Sequence, residues 1–236
     1  MHYVIGDIHN EAKKLDDILC QIHMTQDDEL IVLGDIFDRG GSEPDPVGVY
    51  FMLSGIQGHC RWIRGNHDQW LADYIKEYYE TSERKRRNIT PYRYNSFDIM
   101  KNRLTEVDML NLADLIYKLP LQIELNLAGK DYLFAHAMTS HPSRQESDGY
   151  YLTGNMVMEF FFLEGTEGYI SVCGHTPTCN IPWKHNKNYY LDEYSKSIWR
   201  NDENNVYLLD CGCGFASGRL ACLCLETGER FYSKSR

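Results

Sequence analysis

The chain has 236 residues, 43% of them hydrophobic, and a formal net charge of −10. That length suits one α/β domain of the larger kind, with a sizeable buried core. The acidic balance argues against a non-specific nucleic-acid surface, which needs clustered Lys and Arg. No run approaches the ~20 apolar residues of a membrane helix.

Tyr3-Val4-Ile5 reads as a short buried strand. A strand this early leaves no room for a charged leader, so a cytoplasmic location is expected and the eight cysteines should stay reduced. Apolar residues at Leu15, Ile18, Leu19 and Ile22 predict a helix over Glu11 to His23. Leu30 to Leu33 starts a second unit, with its helix near Pro46 to Leu53. Arg61 to Ile63 is a third strand, followed by a helix from Asp68 to Tyr79. This alternation implies a parallel sheet.

The middle of the chain differs. Tyr78 to Arg103 is polar and aromatic, without a strand pattern. Its basic run, Arg84-Lys85-Arg86-Arg87, suits a solvated face, with steering of phosphorylated substrates as the alternative. Thr105 reads as the N-cap of a helix to about Tyr117, closed by Pro120. Residues 72–118 are expected to form a helical insert beside the mouth of a site, within one domain spanning residues 1–236.

The second half is rich in strands. Leu121 to Leu127 and Tyr132 to Ala135 predict a hairpin around Gly129-Lys130. A helix is expected over Gly154 to Leu163. Short strands are expected at Ile170–Cys173, Tyr189–Leu191, Ser197–Trp199, Val206–Leu209, Arg219–Leu225 and Arg230–Tyr232. A second sheet packed on the first follows from them, with a long polar loop over Asp192 to Asn205. Cys211-Gly212-Cys213 and Cys222-Leu223-Cys224 lie in apolar surroundings, which favours buried core thiols over a zinc site.

Five blocks place Asp, Asn or His directly after short apolar runs. They are Gly6-Asp7-Ile8-His9, Gly34-Asp35-Ile36-Phe37-Asp38-Arg39-Gly40, Arg64-Gly65-Asn66-His67-Asp68, Phe134-Ala135-His136-Ala137 and Gly174-His175-Thr176-Pro177. Ligands therefore sit at the carboxyl ends of successive strands, where open α/β sheets build their sites. Carboxylate, imidazole and amide donors together suit Mn, Fe or Zn better than Ca. His2, His23, His59, His141 and His185 fall outside the pattern and read as structural or exposed.

In these blocks, from Met1 to about residue 180, the chain resembles the calcineurin-like metallophosphoesterases. The nearest pattern is that of their phosphoprotein phosphatase branch, of the small bacterial and phage type typified by the lambda phosphatase. Asp210-Cys211-Gly212 resembles the family's closing strand. Asn10 stands where the pattern has glycine, Asp68 where it has Glu, and Met138 where it has glycine. Asp68 also resembles the diadenosine tetraphosphatases of the same superfamily.

The resemblance implies a four-layer αββα sandwich of mixed sheets, with two divalent metals, Mn foremost, between the sheets' ends. Asp7 and His9 would hold the first metal, Asp35 would bridge, and Asn66, His136 and His175 would complete the second. Two such ions outweigh Asp7, Asp35 and a bridging hydroxide, so an acidic protein can still attract phosphate. That hydroxide would attack phosphorus. His67 would be the general acid, Asp38 would hold its other nitrogen, and Arg39, with Asn66, would bind the phosphate. The family's second phosphate-binding Arg has no counterpart in Gly149 to Asn155, and Arg144 is the nearest candidate. The implied substrate is a phosphomonoester, foremost phosphoserine or phosphothreonine in proteins, with phosphotyrosine also accepted. The alternatives are a dinucleoside polyphosphate and a degenerate binding fold. A phosphorylated protein or small phosphoester is the expected partner; membrane and nucleic acid are not.

Overall fold

The computed structural model describes residues 1–56, 58–182, 184–185 and 196–234. The first third alternates as expected: β1 (His2–Ile5), α1 (Ala12–Ile22), β2 (Glu29–Val32), α2 (Pro46–Ser54), β3 (His59–Trp62) and α3 (Asn66–Glu80). Three further helices follow: α4 (Glu83–Arg86), α5 (Ser96–Lys101) and α6 (Glu106–Lys118). Thr105 caps α6, accepting from Asp108 N at 3.2 Å while the Asp108 carboxylate accepts from Thr105 N at 3.0 Å. The second half runs β4 (Gln122–Leu127), β5 (Lys130–Ala135), α7 (Asp148–Thr153), α8 (Phe161–Glu164), β6 (Ile170–Cys173), β7 (Trp199–Arg200), β8 (Val206–Leu208), β9 (Ala221–Cys224) and β10 (Arg230–Tyr232).

These strands make two five-stranded sheets, in the orders β10-β9-β1-β2-β3 and β4-β5-β6-β8-β7. β1, β2 and β3 are parallel, as are β5, β6 and β8. Alternation along each strand builds the layers. Val4 and Ile31 point between the sheets, against Ile123, Phe134, Val172 and Leu209. Their neighbours Tyr3, Ile5, Leu30 and Val32 point outward against Leu15, Ile18, Leu71 and Ile75 of the helices. On the far face, Cys173, Val206 and Leu208 pack with Met138, Met156 and Phe162. The result is the four-layer αββα sandwich.

Three regions depart from the sequence reading. Gly154 to Leu163 is not a helix. Met156 and Phe162 are buried while Met158 and Phe160 are 73% and 61% exposed, so no single helical face is apolar. Phe160 adopts a left-handed φ of +56° that breaks the run, and only the short α8 follows. The helix lies earlier instead, as α7. The expected strand Tyr189–Leu191, with much of the Asp192–Asn205 loop, lies outside the described residues. The strand placed at Ser197–Trp199 is the two-residue β7, paired with β8.

Residues 72–118, expected as an insert, bury Met100, Met109, Leu112, Ala113 and Ile116 in the same cluster as β1 and β2. Arg86 of the basic run is used locally, donating to Tyr78 O and Thr81 O. Cys211, Cys213, Cys222 and Cys224 are all buried and free, in the apolar clusters. Among the described residues, no helix is long and apolar enough to cross a membrane.

Candidate metal centre

The donor residues follow β1, β2, β3, β5 and β6, Asn66 as the first residue of α3 and the rest in loops, so both sheets deliver them to one end of the sandwich. These loops turn sharply. His9, Asp35, Asp38, Arg39 and His175 all have φ between +48° and +68°. Non-glycine residues there cost about 1–3 kcal/mol each, strain typical of functional sites. Close approach requires glycine at two points. A Cβ on Gly65 would collide with Asp35 N and Oδ1, and one on Gly174 with Asp7 Oδ1.

Asp7, His9 and Asp35 form one group of converging donor atoms, and Asp35, His136 and His175 a second. Asp35 belongs to both. Its Oδ2 lies 3.7 Å from His9 Nε2 and its Oδ1 3.4 Å from His136 Nε2. Asp7 Oδ2 lies 4.0 Å from His9 Nε2. His175 Nδ1 and the Asn66 amide lie 3.1 and 3.0 Å from His136 Nε2. With its nitrogen turned inward, Asn66 donates to both imidazoles and to Leu152 O. With its oxygen inward, it presents a lone pair beside theirs, an arrangement that a cation favours.

Backbone carbonyls fix the tautomers. His9 Nδ1 donates to Phe37 O at 3.1 Å and His136 Nδ1 to Leu33 O at 2.9 Å. With Nδ1 so engaged, each Nε2 is the nitrogen that would offer its lone pair to a metal, the outer support that metal-binding histidines commonly have. The charges argue for cations too. Burial, then the nearby Asp210, holds the Asp7 carboxyl well above its usual range. Burial and the Asp35 charge push Asp68 up to about 7. Burial lowers His9 to about 3 and His175 to about 4. Buried carboxylates with imidazoles, two of them, His9 and His175, kept neutral by burial, fit divalent transition metals.

His67 stands beside the donors. Its backbone N–H donates to Asp35 Oδ1 at 2.9 Å, and its Nδ1 faces Asp38 Oδ2 at 3.1 Å. Its Nε2 is buried with no partner among the described residues. Tyr92 donates its hydroxyl to the same Asp38 oxygen at 2.5 Å, and Asp38 N donates to Ser96 Oγ at 2.7 Å. Arg39 is half-buried, with Nη1 3.2 Å from His9 Nε2 and its guanidinium over the Phe215 ring. Arg144 is not brought to this centre. It is exposed and lines a separate cleft with Thr139, His141, Glu146 and Glu164, none of them a donor.

Sequence reasoning assigned no role to three neighbours. Asp210 is buried, and burial raises it to about 6. It follows the apolar run Val206–Leu209, the same strand-end placement that the metal donors have, so the signal was present. Asp68 accepts from Ile36 N, Phe37 N and Gly65 N, tying the second and third loops together. Tyr92 reaches Asp38 from 54 residues away, without a local pattern. Of the histidines set aside, His2 pairs with Glu226, His23 ends α1 and His141 meets Ser143.

A two-sheet sandwich that gathers Asp, His and Asn donors at its strand ends fits a metal-dependent hydrolase. The profile of the calcineurin-like phosphoesterases matches residues 3–210, and the chain belongs to that family. An uncharacterized protein of Methanocaldococcus jannaschii is 26% identical over 211 residues, covering 89% of this chain and 74% of that protein. Two solved structures share the fold. A putative diadenosine tetraphosphatase is 18% identical, with a TM-score of 0.59 over 98% of this chain and 91% of its own. A protein serine/threonine phosphatase from Saccharomyces cerevisiae is 12% identical, with a TM-score of 0.59 over 100% of this chain and 80% of its own.

Proposed function

We propose that the chain is a phosphomonoesterase acting on phosphorylated proteins, with phosphoserine, phosphothreonine and phosphotyrosine as substrates. The carrying observation is the Asp38–His67 pair, with a buried, unpartnered His67 Nε2 beside the donor cluster. A phosphomonoester of a protein side chain has a basic leaving oxygen that needs a proton as its bond to phosphorus breaks. His67 Nε2 supplies it, and Asp38 steadies the imidazolium through Nδ1. The Arg39 fork binds phosphate oxygens. Asp7, His9, Asp35, Asn66, His136 and His175 hold two divalent ions, Mn foremost; when bound, such ions polarise the phosphate and activate water.

Hydrolysis of a dinucleoside polyphosphate is the second reading, supported by Asp68 after the Asn66-His67 pair. The Asp38-Arg39 pair favours the first. Product analysis separates them. The purified chain, supplied in turn with Mn, Mg, Zn and Fe, is given a phosphopeptide and diadenosine tetraphosphate. Phosphate release from the peptide is expected. Cleavage of the dinucleotide alone would replace this reading with the second.

A further inference from the structure

His67 is flanked by aromatic rings that the phosphoryl chemistry does not use. Trp70 lies three residues further along α3, on the same helical face. Its ring is 4.9 Å from the His67 ring at 61°. The Tyr94 ring, from the segment before α5, has its centroid 4.4 Å from that of His67, at 59°. The Trp70 and Tyr94 planes are parallel within 2°, with centroids 5.8 Å apart. Trp70 is 39% exposed, whereas Leu71, Ala72 and Ile75 of the same helix are fully buried. Trp70 therefore presents a large apolar ring at the surface directly beside the buried His67.

The wall is held firmly. Tyr92 is bonded to Asp38, Asn95 Nδ2 donates to Arg39 O at 2.6 Å, and Ser96 Oγ accepts from Asp38 N. The segment carrying Tyr94 is thus fastened to the same turn that orients His67. Arg93 adds its guanidinium 5.6 Å from the Tyr94 ring centroid. The rings keep a fixed relation to the acid.

We propose that Trp70 and Tyr94 form a leaving-group subsite for aryl phosphomonoesters, of which phosphotyrosine is the protein-borne case. This rests on the phosphomonoesterase reading above. The leaving oxygen must reach His67 Nε2, so whatever that oxygen carries falls beside the rings that contact His67. In an aryl ester the ring is bonded directly to that oxygen and meets the wall. A seryl ester offers one methylene there. In a dinucleoside polyphosphate, sugar and phosphate groups separate the base from the leaving oxygen and carry it beyond a wall this close to the acid. Balance is that of hydrolysis: water oxygen bonds to phosphorus, the bond from phosphorus to the aryl oxygen breaks, and that oxygen takes up a proton. An aryl oxygen needs the proton least, so selectivity here lies in binding the ring.

The test uses the full chain loaded with metal and two peptides of one sequence, bearing phosphotyrosine or phosphoserine. The readout is the ratio of their kcat/KM values. Trp70→Leu and Tyr94→Leu should each lower the tyrosine-to-serine ratio by about 3–10-fold, the worth of one aromatic contact, chiefly through KM. Trp70→Phe should keep most of it. Bound metal is measured in each variant to confirm an intact site. As a control independent of mutation, phenylphosphonate should inhibit the wild type more tightly than methylphosphonate. Ratios unchanged in both leucine variants, or equal inhibition by the two phosphonates, would overturn the subsite and leave the phosphatase reading standing. Failure of the wild type on both peptides would overturn both.

Discussion

Asp38 and His67 face each other at 3.1 Å through Oδ2 and Nδ1, with both side chains buried. Tyr92 occupies a second position on that oxygen, and Asp38 Oδ1 is buried without a partner among the described residues. The carboxylate oxygen is therefore held by two partners, and the imidazole, its ring 5.1 Å from that of the donor His9, keeps Nε2 without a partner among the described residues. His67→Asn should retain the metals and lose about 10²–10⁴-fold in rate on phosphoserine peptides. The loss should be smaller on nitrophenyl phosphate, whose leaving oxygen needs little protonation. Asp38→Asn should repeat the pattern more weakly, because it acts through His67. Equal losses on both substrates, with metals intact, would place the proton donor elsewhere.

Asp35 is the one carboxylate shared by both donor groups. Asp35→Asn should abolish activity chiefly by weakening both metals, and elemental analysis should show less bound metal per chain. Full occupancy with normal turnover would remove Asp35 from the bridging position.

Arg39 and Arg144 should now differ. Arg39 lies within 3.2 Å of the donor His9, whereas Arg144 lines a cleft of its own. Arg39→Ala should raise KM for phosphomonoesters and lower kcat, since phosphate charge shifts in the transition state. Arg144→Ala should leave both constants near the wild-type values. A matching loss in Arg144→Ala would return it to the phosphate site.

Metal removal should make stability sensitive to alkaline pH. Burial works against a charged His136, but the Asp35 and Asp7 carboxylates hold its proton and raise it from 6.5 to about 10. A group raised on folding stabilises fully below its unfolded value and loses that contribution as pH rises through the folded one. The chelated chain should therefore lose Tm between about pH 7 and 10. The metal-loaded chain should lose less, because the ion takes the proton's place. Thermal melts of both forms across that window check this. Parallel curves would show that His136 carries no such proton.

The first half of the fold was legible because β-α alternation and strand-end donors obey short-range rules. Asp7, His9, Asp35, Asn66, His136 and His175 each follow an apolar run, and the structure gathers them at one end. The Thr105 cap was readable from four residues. Less legible were features set by contacts distant in sequence. The Gly154–Leu163 segment has enough apolar residues for a helix, but Met156 and Phe162 are drawn into the outer core while Met158 and Phe160 stay out. Tyr92 and Ser96 reach the site only through tertiary packing. The lack of an Arg in the window before His175 was visible, yet assigning Arg144 by nearness in sequence ignored where its loop travels.

We propose hydrolysis of protein phosphomonoesters at a site completed by two metals. It is tested most directly by titrating the chelated full chain with Mn while following phosphate release from a phosphoserine peptide. No release is expected without metal, and a rise that levels off at two equivalents bound is expected with it. Release by the metal-free chain, or no release at full metal loading while diadenosine tetraphosphate is cleaved, would contradict it.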